Sequence, residues 1–196
     1  MKHANLRLRT FVALLLVTIS CFGQKPSGGS GVDWRALVQN RLPLYGHRNW
    51  IIVADSAFPV YAGPGIETIV VNDDLPTVLN YVAKAISSSR HVRATVFLDK
   101  ELDFVEDLDY AGASELKKQI LSTFSKEQVS SIPHSQVLSK IDEAGKTFRI
   151  LFIKTTATIP YTSVYMRLDC GYMSDDVDRR IKDRMSKAEK AEHDTK

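Results

Sequence analysis

The stretch "NWIIVADSAF", Asn49–Phe58, decides the fold. From Trp50 to Ala54 it is apolar without interruption, with Ile51, Ile52 and Val53 at its centre, and it then meets a single carboxylate, Asp55. An amphipathic strand alternates apolar and polar residues. A continuous apolar run marks a strand covered on both faces, as in the middle of a parallel sheet. Ligands of open α/β sheets gather beyond the carboxyl ends of such strands, which is where Asp55 falls.

The same pattern recurs on either side. "ETIVVN" (67–72), "RATVFLD" (93–99), "FRILFIKT" (148–155) and the run from Ile159 to Met173 read as strands. Between them lie helical patterns. Asp33 can cap a short helix carrying Trp34, Leu37 and Val38. Pro76 suits a first helical turn, and Val78, Leu79, Val82 and Ile86 then share one face. Leu116, Ile120 and Phe124 do the same in "ASELKKQILSTF" (113–124), and a further helix is expected around Gln136–Ile141. Strands alternating with helices predict an α/β fold, a three-layer sandwich with a mainly parallel central sheet.

The ends differ from this core. Lys2, Arg7 and Arg9 precede the apolar run "FVALLLVTIS" (11–20), the pattern of an export signal over residues 1–23 and too short to span a bilayer, which takes roughly 20 apolar residues. Cleavage near Gly23 would give a soluble periplasmic or secreted protein. Lipidation of Cys21 within "TISC" would instead anchor it to a membrane. Residues 24–32, containing "KPSGGSG", have the composition of a flexible linker. Residues 33–173 form the expected domain. Residues 174–196 form a charged tail, where Val177, Ile181 and Met185 give a helix one thin apolar stripe.

The net charge of +3 belongs to the leader: residues 1–23 hold three Lys/Arg and no acid, so the remainder has 23 basic and 23 acidic residues. That balance excludes the electrostatic footprint of a nucleic-acid binder. With Cys21 removed or lipidated, Cys170 is alone, which excludes an intrachain disulfide and a cysteine metal cluster. "GPGIET" (63–68) has neither the third glycine nor the Lys-Ser/Thr of a phosphate loop. Ala57 stands where a phosphatase would place its second carboxylate, and no histidine pair has helical zinc spacing. No cofactor and no metal are expected.

A polar set remains at or near strand ends: His47, Asp55, His134 and Tyr161. Each has a plain structural reading. His47 can be a solvated turn residue, Asp55 can cap the turn that follows it, His134 can neighbour a helix cap, and Tyr161 can be a core aromatic. His47 also lies eight residues before Asp55, about 26 Å along an extended strand. Only a bent approach at Gly46 or a site shared between subunits would unite them.

The ordering Gly46-His47, an apolar strand, then Asp55-Ser56-Ala57-Phe58-Pro59 resembles the D-ribose pyranase and L-fucose mutarotase family, whose members read Gly-His, strand, Asp-Ala-x-x-Pro. His134 in "PHSQV" resembles the family's intermediate histidine, and Tyr161-Thr162-Ser163 its late Tyr-Ala-Asn; the likeness spans Asp33 to Tyr172. It implies an isomerase that opens and recloses a free monosaccharide by general acid/base catalysis, needing no cofactor. His47 would transfer the proton, and Asp55, His134, Tyr161 and Ser163 would bind the sugar. It also implies a cyclic homo-oligomer, often a decamer, with sites near subunit contacts. Trp50, Phe58 or Tyr61 could stack on a sugar face or pack the core. The chain departs from the family at Ser163 in place of Asn, at Ser56, in a longer "DFVEDLDYAGAS" (103–114), and in its export signal. Two other readings stand beside the enzyme: a non-catalytic sugar-binding or envelope scaffold protein of the same fold, and an interaction module using the tail.

Overall fold

The computed structural model describes residues 33–194. The expected export segment (1–23, with Cys21) and linker (24–32) lie outside them. The strands are β1 (Trp50–Ala54), β2 (Ile66–Val70), β3 (Val92–Asp99), β4 (Val129–Ile132), β5 (Ile150–Lys154) and β6 (Val164–Cys170). The helices are α1 (Trp34–Arg41), α2 (Leu75–Ser87), α3 (Ala113–Ser122), α4 (His134–Gly145) and α5 (Asp175–Asp194). All six strands join one sheet in the order β2-β5-β1-β6-β3-β4.

β1 sits at the centre because all five of its residues can be buried, and all five are. Its alternate side chains divide the core in two. Ile51 and Val53 join Val78, Leu79, Val82 and Ile86 of α2, with α1 and Ile120 of α3, on one face; Trp50, Ile52 and Ala54 join Val137 and Ile141 of α4 on the other. Helix, sheet, helix gives the three layers read from the sequence. Capping sets the helix starts: the Asp33 carboxylate accepts from the Arg35 and Ala36 amides, and Asp74 accepts from Thr77.

Five strands run parallel, and β6 alone runs antiparallel to both of its neighbours, β1 and β3. The cause is a short link. Only residues 155–163 separate β5 from β6, fewer than the dozen or more a parallel crossover needs. The chain therefore turns back at the edge it has just reached, and the link is laid across the carboxyl end of β1. Gly171 ends β6 where nothing larger fits: a Cβ there would lie 2.7 Å from the Arg90 carbonyl oxygen and 2.8 Å from the Val92 nitrogen.

Beyond β6, Arg93 of β3 pairs with Asp175 at the start of α5 (2.7 Å). Ile181 and Met185 of that helix face solvent.

Candidate active site

Four of the five residues singled out in the sequence collect at the carboxyl edge of the parallel strands. Asp55 follows the last residue of β1. Its Oδ1 accepts from the Ala57 amide (3.0 Å), so it caps the next turn, and its Oδ2 accepts from the Ser163 hydroxyl (2.7 Å). Ser163 also accepts from the Asp55 amide (3.1 Å) and is only 1% exposed. Its hydroxyl is thus committed to Asp55, and what it orients is that carboxylate. Thr155, also buried, donates to the Ala54 carbonyl (2.9 Å) and pins the link to the end of β1.

His134 opens α4, and its ring meets a partner the sequence reading did not name. His134 Nδ1 lies 2.9 Å from Asp99 Oδ2, and the Tyr165 hydroxyl donates to the same oxygen (3.1 Å). An ionised carboxylate only accepts, so this bond assigns the imidazole proton to Nδ1 and leaves Nε2 unprotonated. Glu101 holds the other end of the residue, accepting the His134 amide at 2.9 and 3.1 Å. Tyr161, its ring edge-on to His134 at 5.5 Å between centroids, stands exposed with a left-handed φ of 61°. A non-glycine residue there is strained, so the surrounding link must hold it in that conformation.

Asp99 is 1% exposed, and its Oδ1 is buried without a partner. Burial pushes its carboxyl up to about 6, against the opposing pull of His134 and Tyr165. Burial likewise raises the Tyr165 phenol, helped by the charges of Asp99 and Asp55, so Tyr165 stays protonated as a donor. Asp55, Ser163, Tyr165, Asp99 and His134 thereby form one polar chain along the edge. Asp99, Glu101 and Tyr165 were missed in the sequence. A signal for Asp99 was present: it ends "RATVFLD" as Asp55 ends the central strand.

His47 is elsewhere. It lies in the turn Gly46–Asn49, where the Asn49 amide donates to the Gly46 carbonyl (3.1 Å), Arg48 takes a positive φ of 74°, and the Asn49 side chain accepts from the Gly46 amide (2.8 Å). This turn precedes β1, at the sheet end opposite Asp55. The His47 ring is 56% exposed, with Nδ1 3.3 Å from Asp169 Oδ1. Asp169 is held by Thr95 (2.6 Å) and Arg167 (3.1 Å). The bent approach at Gly46 is therefore not made, and a single chain does not bring His47 to the other four. Of the aromatic candidates for stacking, Trp50 and Phe58 are core residues, and Tyr61 stacks on Phe152. Among the described residues, no cluster of three or more His, Cys, Asp or Glu is arranged to hold a metal, and no helix is long and apolar enough to cross a membrane.

A mostly parallel sheet with an acid–histidine–tyrosine cluster beyond its strand ends defines an α/β protein with a polar group of side chains at one sheet edge. The chain belongs to the RbsD / FucU transport protein family, whose model matches residues 38–171. Its fold is similar to that of Bacillus subtilis RbsD complexed with D-ribose, over 72% of this chain and 96% of that one, with 18% identity and a TM-score of 0.50. It is also similar to the fucose mutarotase of Streptococcus pneumoniae in complex with L-fucose, over 66% and 89% of the two chains, with 12% identity and a TM-score of 0.45. No curated protein sequence matches.

Proposed function

We propose that the protein is an exported monosaccharide mutarotase or pyranase-like isomerase whose site is completed between copies of the chain. The observation that supports it most is the buried Asp99 behind His134, beside Asp55 and Tyr161 at one sheet edge. Ring opening of a hemiacetal removes a proton from the anomeric hydroxyl and delivers one to the ring oxygen. His134 Nε2 can accept the first, with Asp99 stabilising the imidazolium that results. A second acid is then needed across the sugar. Tyr161 is within the same neighbourhood, and His47 of the partner subunit would supply an imidazole from the opposite side. Asp55, held by Ser163, would grip sugar hydroxyls. Positioned acid–base groups supply typically 10²–10⁴-fold, enough for a reaction that already runs unaided. The names of the two similar structures, one bound to D-ribose and one to L-fucose, put free aldoses first among substrates.

Anomer exchange measured by NMR saturation transfer, over D-ribose, L-fucose and a small panel of aldoses, tests the activity; acceleration with none of them removes it. Subunit mixing tests the shared site. His47→Ala and His134→Ala chains, each inactive alone, would regain about a quarter of wild-type activity when mixed in equal amounts in a head-to-tail ring. No recovery would put His47 outside the site.

A sugar-binding protein without catalysis is the second reading, favoured by the Ser163 hydroxyl being committed to Asp55. Calorimetric binding of a sugar that survives His47→Ala, with no rate effect, would select it. Export itself is tested by mass spectrometry of the N-terminus recovered outside the cytoplasm: a chain starting near Gln24 indicates cleavage, a lipidated Cys21 an anchor, and an intact Met1 neither.

A further inference from the structure

Two surfaces outside the candidate site are unusual, and they are complementary. The first is the link from β3 to α3. It leaves the carboxyl edge directly after Asp99 and is anchored by the buried Leu102 and Ala113. Between those anchors it holds apolar side chains in solvent: Phe104 is 74% exposed and Leu108 91%, with Tyr110 beside them. The conformation is built. The Asp109 and Tyr110 amides both donate to the Glu106 carbonyl (3.1 and 3.0 Å), and the Asp107 carboxylate accepts from the Ser114 amide (3.0 Å). Asp103 pairs with Lys117 (2.8 Å), while among the described residues the exposed carboxylates of Glu106 and Asp109 have no partner. Large apolar side chains held out on an ordered, acidic loop mark a contact surface.

The second surface is a groove of about 580 Å³ between α4 and the sheet, lined by Arg48, Trp50, Lys140, Phe148 and Arg167 among others. Its cations lie over aromatic rings: Arg48 over Phe148 (5.8 Å), Lys140 over Phe97 (5.7 Å) and Arg167 over Phe97 (5.8 Å). Among the described residues, Arg48 and Lys140 have no acidic partner, and the buried Nε of Arg167 has no hydrogen bond. The one acid lining the groove, Glu143, is paired with Lys146 (2.7 Å). The groove is therefore cationic, with the half-buried Phe148 as its accessible aromatic surface, which suits an acidic segment with apolar side chains.

We propose that the loop Phe104–Tyr110 of one copy of this chain docks in the Trp50 groove of a second copy. Adjacency supports this occupant over an unrelated acidic protein. The loop starts next to Asp99 and His134, and the groove starts next to His47, because Arg48 lines it and Arg167 lies both in the groove and beside Asp169. A contact that brings the partner's His47 toward His134 thus also brings the partner's groove toward this loop. Phe104 and Leu108 would bury against the half-buried Phe148 and the aliphatic stem of Lys140, and Glu106 and Asp109 would face Arg48 and Lys140. Because loop and groove are different surfaces, the contact is head-to-tail and repeats around a ring. The inference rests on the shared-site reading and adds to it the segment that specifies which copies fit.

The test is sedimentation velocity of the full chain from nanomolar to micromolar concentration, with anomer exchange of D-ribose and L-fucose followed on the same samples. Phe104→Ser with Leu108→Ser, both at exposed positions, should raise the association midpoint at least about tenfold with the far-ultraviolet spectrum unchanged. Arg48→Glu with Lys140→Glu, or Glu106→Lys with Asp109→Lys, should each weaken association about tenfold, and the four changes together should restore it. Restoration is the outcome a general loss of folding cannot produce. Assembly that is unchanged in all these variants overturns the docking, and if exchange is still catalysed the enzyme reading survives it. Loop-dependent assembly without exchange of either sugar keeps the docking and removes the enzyme reading. A wild-type chain that stays single at every concentration removes the docking and the shared site together.

Discussion

The sheet carries a histidine–carboxylate pair at each end, and the two pairs are built differently. At the carboxyl edge, His134 sits in the first turn of a helix with its amide on Glu101 and its Nδ1 on Asp99, a carboxylate sealed from water. At the opposite end, His47 rides a four-residue turn with its ring mostly in solvent, 3.3 Å from Oδ1 of an Asp169 whose Oδ2 accepts from Thr95 and Arg167. The first arrangement fixes a tautomer and, through burial, raises the Asp99 carboxyl, at a cost in desolvation. The second costs little and leaves its imidazole free to meet something outside the chain. The first pair is largely buried within its own subunit, and the imidazole of the second is open to solvent.

The most damaging way to break this contrast is to remove the buried carboxylate. Asp99→Asn should lower anomer exchange by about 10²–10³-fold, because the amide no longer dictates which imidazole nitrogen carries the proton. Nitrogen-detected NMR of His134 should then show a mixture of tautomers where the wild type shows Nδ1–H. An unchanged tautomer with unchanged rate would deny Asp99 its positioning role.

Next in size is a pH effect on stability. Burial raises the folded-state value of Asp99 to about 6 from an ordinary 3.8, so between those values the folded chain holds a proton the unfolded chain has released. The stabilisation linked to Asp99 is full below about pH 4 and is lost as pH rises through 6, a fall of about 3 kcal/mol. Urea melts from pH 4 to 8 should show this fall, and Asp99→Asn should flatten it.

Tyr165→Phe is expected to cost about 1–3 kcal/mol, since it takes one donor from a buried acceptor that already has a bare oxygen. Chemical denaturation at pH 7 measures it; a neutral result would mean that water replaces the phenol. His47→Gln should change stability least, by under about 0.5 kcal/mol, because the ring is exposed. The same variant should reduce exchange as strongly as one at the buried pair. A stability loss as large as that of Tyr165→Phe would show His47 to be structural.

Much of the fold was legible from local pattern. The apolar run Trp50–Ala54, the helical spacing of Val78, Leu79, Val82 and Ile86, the cap Asp33 and the first-turn Pro76 depend on neighbours within a turn or a strand. The orientation of β6 was less accessible, because it follows from the length of the 155–163 link and from which strands flank it. In the site, Asp55 was visible as the polar end of an apolar strand. Asp99 bore the same mark but gains its role from Tyr165 and His134, 66 and 35 residues away. Ser163 was legible as a position, while its service to Asp55 across 108 residues was not.

The order of polar and apolar residues by itself determined the layers, the central strand and the place of Asp55 at its end, because burial and periodicity act over short stretches of chain. Only the tertiary structure decided that the chain does not bend back at Gly46, that His134 and Tyr161 meet at one edge, and that a sealed carboxylate backs His134. Those outcomes depend on which strands lie side by side, and the free energy that selects them comes from contacts between segments far apart in sequence.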